Sequence, residues 1–350
     1  MKLGLVIYGS LDTLSGGYLY DRKLVEYLRG QGDTVEIISL PWRNYAAHLS
    51  DNLHVRLPRS FDVLIQDELS HPSLISANAR PRNYPVVCLV HHLRCSELRP
   101  KWQNDFYRMI EKRYLNSVDG FIFNSQTTKS VVNGLLGSSK ADVVAYPPTD
   151  RFGEAISESE IIERAKSDDF RILFLGNVME RKGLRTLLEA VKRQRSNVRL
   201  DVVGSLNTEP GYAGKIQEYI AANALSSSVF LHGPLDKEPL IEKLRSAHVL
   251  AVPSSYEGFG IVYLEGMGFG LPAIGTSLGA AGEVITDGVD GFIVEAGNAD
   301  LLAGRLEVLK EKREILVRMS LAARERYLRQ PRWSQSAGEI RKFLLSFLRP

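Results

Sequence analysis

The chain has 350 residues, 44% of them hydrophobic and 24% charged, with a formal net charge of +3. That length holds two α/β domains with separate cores, and so small a net charge argues against a general nucleic-acid partner. Its two cysteines, Cys88 and Cys95, exclude a disulfide framework and a cysteine-based metal site, and fit a reducing cytoplasm.

The opening MKLGLVIYGS has an apolar stretch too short for a secretion signal and runs at once into a polar, glycine-containing loop, so it reads as a strand over 3–9. Further strands are predicted near 34–40, 62–66, 86–91, 120–124 and 142–146, with a helix over 18–29 after a loop holding Gly16 and Gly17. Residues 80–113 carry eight Lys/Arg against three Asp/Glu, with Trp102, Phe106 and Tyr107 interleaved. Two readings stand open there: an amphipathic helix with its aromatic face in the core, and a peripheral contact with anionic lipid or a phosphorylated acceptor. Pro147 and Pro148 stop the first series of strands, and a polar, acidic stretch follows over 151–168. A second series is expected near 170–176, 198–204, 228–232, 248–252 and 272–275, and a helix over 333–348 closes the chain. Strand and helix patterns that alternate in this way define the α/β class, as two successive doubly wound units. The expected domains are 1–165 and 166–330, with 331–350 as a terminal helix. No apolar run approaches the roughly 20 residues of a membrane span.

The most informative segment is SSYEGFGIVYLEGMGFGLP, where Glu257 and Glu265 flank a glycine-rich turn from strand to helix. Gly258 and Gly260 let the backbone turn sharply and approach a ligand. The helix beginning at Ile261 directs its free N–H groups and partial positive charge above the strand ends, where anions bind in α/β sheets. A carboxylate partly inside the protein wall, as expected for Glu265, needs hydroxyl or cationic partners. A polyhydroxylated, phosphorylated ligand meets both demands. In FRILFLGNVMERKGLRTLLEA, Arg181 and Lys182 sit on a loop between strand and helix and can reach the same place.

These residues resemble the E-x7-E motif of retaining glycosyltransferases of family 4, with both acids, Gly258, Phe259, Gly260 and the later Gly270-Leu271-Pro272 in position. The resemblance is strongest over 170–295. It implies a GT-B architecture, two Rossmann-like domains facing an interdomain cleft, with a sugar nucleotide bound mainly by the second and the terminal helix crossing back to the first. It further implies that Glu257 meets hydroxyls of the donor sugar, Glu265 the ribose, and Arg181 with Lys182 the pyrophosphate. Ile261 then belongs to the helix N-terminus facing the donor. In VFLHGPL the resemblance points to Gly233 and Leu235 as backbone contacts to the nucleobase. In the first domain Gly16 and Gly17 resemble the glycine pair that lets the backbone approach the donor. His91 aligns with a histidine facing the donor sugar, although the following His92 stands where the family usually has Asp or Asn. Asn124 and Ser125 also match, with Ser125 placed to cap a helix.

The resulting expectation is a retaining, metal-independent glycosyltransferase that moves a hexose from a nucleotide diphosphate sugar to a hydroxyl acceptor. Family frequency puts UDP-hexose first and GDP-mannose second. The acceptor is left open among a saccharide, a lipid-linked saccharide and a small metabolite. No cofactor and no metal is expected, since the chain has no Asp-x-Asp motif and the cationic work falls to Arg181 and Lys182. The expected location is the cytoplasm, with peripheral contact at the inner face of a membrane. Two alternatives share the pocket: a GT-B sugar-nucleotide epimerase, and a catalytically silent nucleotide-binding or scaffold protein.

Overall fold

In a computed structural model of the chain, which describes residues 1–13, 15–148, 150–153, 155–194 and 197–348, the longest apolar runs become central strands. Parallel strands covered on both faces need such continuous runs. Six parallel strands make the first sheet: β1 (Lys2–Tyr8), β2 (Thr34–Leu40), β3 (Val63–Asp67), β4 (Val86–Val90), β5 (Gly120–Phe123) and β6 (Ala141–Val144). Every residue of β4 is buried, as is every residue of β1 after Lys2. The strand order is β2-β1-β3-β4-β5-β6, so the winding reverses between β1 and β3.

The second sheet is also six-stranded and parallel: β7 (Phe170–Leu175), β8 (Val198–Val203), β9 (Val229–Gly233), β10 (Val249–Ala251), β11 (Ala273–Thr276) and β12 (Gly291–Val294). Its order, β12-β11-β10-β7-β8-β9, reverses between β7 and β10. Ligands of doubly wound folds bind beyond the carboxyl ends of the strands at such a reversal. Each strand expected from the sequence is present. β12 is additional, a four-residue strand set among turn residues.

The chain divides into two compact units, one of Met1–Pro148 with Pro331–Pro350 and the other of Thr149–Gln330. The expected boundary at 165 therefore moves to the Pro147-Pro148 break. The reason is packing: in the helix Glu158–Arg164, Ile161 is buried and Arg164 donates to the carbonyls of Phe269 and Gly270, both at 2.8 Å. The final helix, Trp333–Ser346, belongs to the first unit. Ala337, Ile340 and Leu344 enter its core beside Leu24 and Leu28, and Ser336 donates to the Tyr146 carbonyl at 2.7 Å.

Gly16 and Gly17 do not lie on a loop before the first helix. That helix runs Gly16–Gly30 and is capped by Ser15, whose side chain accepts from the Tyr18 N–H, so both glycines occupy its first turn. Ser125 caps the helix Gln126–Leu136 in the same way. Over 80–113 the outcome is divided. The helix Lys101–Asn116 buries Tyr114 and Leu115, and Tyr107 packs against Tyr45 at 4.9 Å between centroids. Trp102, Phe106 and Met109 lie on its outer face, 70%, 41% and 60% exposed. Among the described residues no helix is long and apolar enough to cross a membrane.

Candidate active site

The second unit brings Arg181, Lys182 and Glu257 together at the reversal between β7 and β10. The loop after β7 ends in a short 3-10 turn, Glu180–Lys182, and Gly183 then takes φ 71° to start the helix Leu184–Lys192. No larger residue fits: a Cβ at Gly183 would lie 2.1 Å from the Pro253 carbonyl oxygen. The loop after β10 is fastened to this turn from the other side. Ser255 N–H donates to the Arg181 carbonyl at 2.7 Å, and one Arg181 guanidinium nitrogen donates to the Tyr256 carbonyl at 2.6 Å.

Glu257 is 7% exposed and forms an ion pair with Lys182, while Ser254 Oγ donates to its Oε1 at 2.7 Å. Burial alone would raise its carboxyl. The cations of Lys182 and Arg181 and the hydrogen bonds from Lys182 and Ser254 outweigh that and hold it down to about 2. A bridge between Glu257 and Gly279 fixes the backbone, with Ala280 N–H donating to the Glu257 carbonyl at 2.8 Å. Gly260, at φ 94°, begins the helix Ile261–Gly268, and Tyr263 anchors that helix by donating to the Val252 carbonyl at 2.7 Å.

Glu265 does not meet the Arg181-Lys182 pair in this structure. It is 6% exposed and pairs with Arg151 at 2.6 Å, a residue the sequence reading had not singled out. Burial raises its carboxyl, and Arg151 opposes the rise. Gly258 and Phe259 lie on the turn between the two acids, with Phe259 3% exposed. Gly233 ends β9 at φ 70° with open space beside it, and Leu235 follows half-buried. Nearby, Asp201 binds Lys243 at 2.9 Å and Arg199 at 3.0 Å and also pairs with His232, which keeps β8 and β9 aligned.

In the first unit the structure joins His91 to Gly17: a Cβ at Gly17 would lie 3.2 Å from His91 Cδ2. His91 follows β4 directly, and its carbonyl accepts from Asn124 Nδ2 at 2.8 Å. Its Nε2 lies 3.0 Å from Asp21 Oδ1. His92 turns elsewhere, to Glu97 at 3.0 Å. Asp21 was missed from the sequence, although a charged residue on the buried face formed by Tyr20, Leu24 and Leu28 is a signal that pattern reading can catch.

Among the described residues, two groups of acid and imidazole lie close enough to share an ion: Asp21, Asp67 and His91, and Glu68, His71 and Glu111. In the second, protein partners already engage His71 and Glu111. Tyr45 meets His71 Nε2 at 2.9 Å, and Glu111 accepts from the backbone of Arg94 and Cys95 at 2.6 and 3.1 Å. Burial pushes Glu68 and Glu111 up to about 7 and draws His71 down to about 4.

Two doubly wound units in one chain, with a basic pair and a buried glutamate at the switch point of the second, define a GT-B fold. Solved structures support this. Sucrose-phosphate synthase from Thermosynechococcus elongatus aligns with a TM-score of 0.83 at 18% identity, covering 99% of both chains. Anabaena HepE in complex with UDP-glucose aligns with a TM-score of 0.79 at 17% identity, covering 99% of this chain and 100% of that one. Residues 156–326, just under half of the chain, match the family described as Glycosyl transferases group 1. Among curated relatives, phosphatidyl-myo-inositol mannosyltransferase of Mycobacterium leprae is 26% identical over 97% of this chain and 95% of the relative. D-inositol 3-phosphate glycosyltransferase of Xylanimonas cellulosilytica is 31% identical over 39% of this chain and 33% of the relative.

Proposed function

We propose that the chain transfers a hexose from a nucleotide diphosphate sugar to a hydroxyl acceptor, with retention of configuration and without a metal ion. The observation that carries this is the convergence of Arg181, Lys182 and charged Glu257 at the switch point of the second sheet. Breaking the bond between sugar and phosphate builds negative charge on the departing oxygen. Fixed donors aimed at such charge stabilise it by about 3–4 kcal/mol each. Arg181, Lys182 and the N–H groups at Ile261 are such donors. Glu257 accepts from the sugar hydroxyls, Glu265 shares the ribose with Arg151, and the backbone at Gly233 and Leu235 meets the base.

UDP-hexose is the proposed donor, supported by the UDP-glucose complex of HepE, and GDP-mannose is second, in line with the relatives named mannosyltransferases. Relatives named for inositol acceptors favour a polyol hydroxyl as the nucleophile. The outer face of Lys101–Asn116 supports peripheral binding to an anionic membrane: Leu98, Trp102, Phe106 and Met109 are exposed, with exposed Lys101, Arg108, Lys112 and Arg113 among and beside them. The buried, unpaired thiols of Cys88 and Cys95 fit the cytoplasmic side.

The test is calorimetric titration of the wild type and Arg181→Ala with UDP, GDP and ADP in the presence of a chelator. Micromolar binding of UDP that collapses in the variant supports the reading, as does a transfer rate lowered about a hundredfold or more. Rates within threefold of each other refute it, and donor turnover that needs no acceptor points instead to an epimerase.

A further inference from the structure

Asp21 stands out in the first unit because its side chain is completely buried, 0% exposed, on a helix whose inner face is otherwise apolar. An isolated carboxylate in such a place costs several kcal/mol unless a charge or hydrogen bond offsets it. Its partner is the ring of His91, at 3.0 Å from Oδ1 to Nε2. The other carboxylate oxygen, Oδ2, has no hydrogen-bond partner among the described residues.

The surroundings hold the ring in one pose. Gly17, one turn before Asp21 on the same helix, leaves the space the ring occupies, and Tyr20 packs edge-on at 5.5 Å between centroids. Asn124 fixes the backbone at the end of β4. The titratable groups facing His91 are Asp21 from this helix and Asp67 and Glu68 from the end of β3, with the phenols of Tyr18 and Tyr20 beside Asp21. All three carboxyl groups favour a charged ring. Burial would lower the imidazole, but these acids outweigh it and raise it to about 9. Burial and the nearness of Asp21 in turn raise Asp67.

We propose that Asp21 is a positioning residue that holds His91 as an imidazolium with Nε2 turned inward, leaving Nδ1–H as a fixed cationic donor to a substrate oxygen. His91 then stabilises negative charge on sugar or phosphate and does not take the acceptor's proton. The substrate half of this inference rests on the function proposed above. The structural half does not.

Two measurements on the full-length protein separate them. The first is NMR titration of the His91 ring, assigned with His91→Gln, in the wild type and Asp21→Asn and with no ligand present. The wild-type ring should titrate near 9, and the variant within about one unit of the ordinary 6.5. A wild-type ring titrating near 6.5, or the same value in both proteins, overturns the dyad whatever the enzyme transfers. The second is the pH profile of kcat/KM for transfer. The ratio of wild-type to variant rate should rise about tenfold between pH 6 and pH 8, because the variant loses its ring charge over that interval. A ratio independent of pH, with the NMR shift present, refutes the catalytic half. If no donor is turned over, the proposed function fails and the dyad is judged by the titration alone. Asp21→Asn keeps an oxygen to accept from Nε2, and Asp21→Ala, matched for thermal stability, checks that the shift follows the charge.

Discussion

Substituting Lys182 by Met removes the cation beside Glu257 while keeping an aliphatic stem of similar length. In the wild type the carboxyl sits at about 2, against an ordinary value of 4.5, which corresponds to roughly 3 kcal/mol favouring its charged form after burial is included. Its folded value is lowered, so this contribution is present above about pH 4.5 and is lost as pH falls toward 2. Without Lys182 the strongest influence opposing burial is gone, and the carboxyl should rise from about 2. It is then either charged and poorly compensated or protonated at a cost that grows with pH. Losing one member of a buried pair typically costs about 3–5 kcal/mol. Ser254 and Arg181 remain, so the expected loss at pH 7 is at the lower end, ~3 kcal/mol. Urea denaturation from pH 4 to pH 7 should show the gap between wild type and Lys182→Met widening with pH. Adding Glu257→Gln to Lys182→Met should recover much of the loss, since no buried charge is then left unpaired. A gap below about 1 kcal/mol at pH 7, or one that does not change with pH, would refute the buried ion pair.

His248 is 1% exposed, accepts from the Arg171 N–H at 3.0 Å through Nδ1 and donates to the Arg164 carbonyl at 3.0 Å through Nε2. Burial draws it to about 4, so stability held above pH 6.5 is lost as pH falls from there to about 4, by up to about 3 kcal/mol. His248→Gln should flatten that pH dependence in thermal melts. Gly183→Ala forces a side chain into a left-handed turn 2.1 Å from the Pro253 carbonyl, so it should cost about 2 kcal/mol or more and weaken nucleotide binding. Gly211→Ala, with open space around it, is the control and should be neutral within about 1 kcal/mol. Trp102→Ser with Met109→Ser should reduce co-sedimentation with phosphatidylserine-rich vesicles about tenfold and leave nucleotide binding intact. Equal sedimentation of both proteins would exclude that face as the membrane contact.

Most of the fold was legible because central strands such as β1, β4, β5 and β10 are buried on both faces and read as apolar runs. β12 escaped because Gly291–Val294 is only four residues long between Gly288 and Gly297, where turn signals dominate. The helix Lys101–Asn116 carries aromatic residues on two faces at helical spacing, Trp102 with Phe106 and Tyr107 with Tyr114. Periodicity alone does not say which pair is covered. The helix Gly16–Gly30 begins two residues earlier than expected, since the Ser15 cap outweighs the low helix propensity of two glycines. At the site, the residue types and their loops were readable from spacing. The pairings were not: Lys182 with Glu257, Arg151 with Glu265 and Asp21 with His91 join residues 75, 114 and 70 positions apart.

Those pairings change how the site works. Glu257 and Glu265 look equivalent in the motif, yet one is held charged by two cations and the other is raised by burial against a single arginine that is itself 42% exposed. Lys182 serves two partners on the proposed reading. In the free protein it neutralises Glu257, and a diphosphate arriving beside Arg181 competes for the same ammonium. As Lys182 turns toward phosphate, a Glu257 oxygen becomes available to accept from a sugar hydroxyl. Phosphate and sugar binding are then coupled through one lysine, so a donor that lacks either part engages the site incompletely.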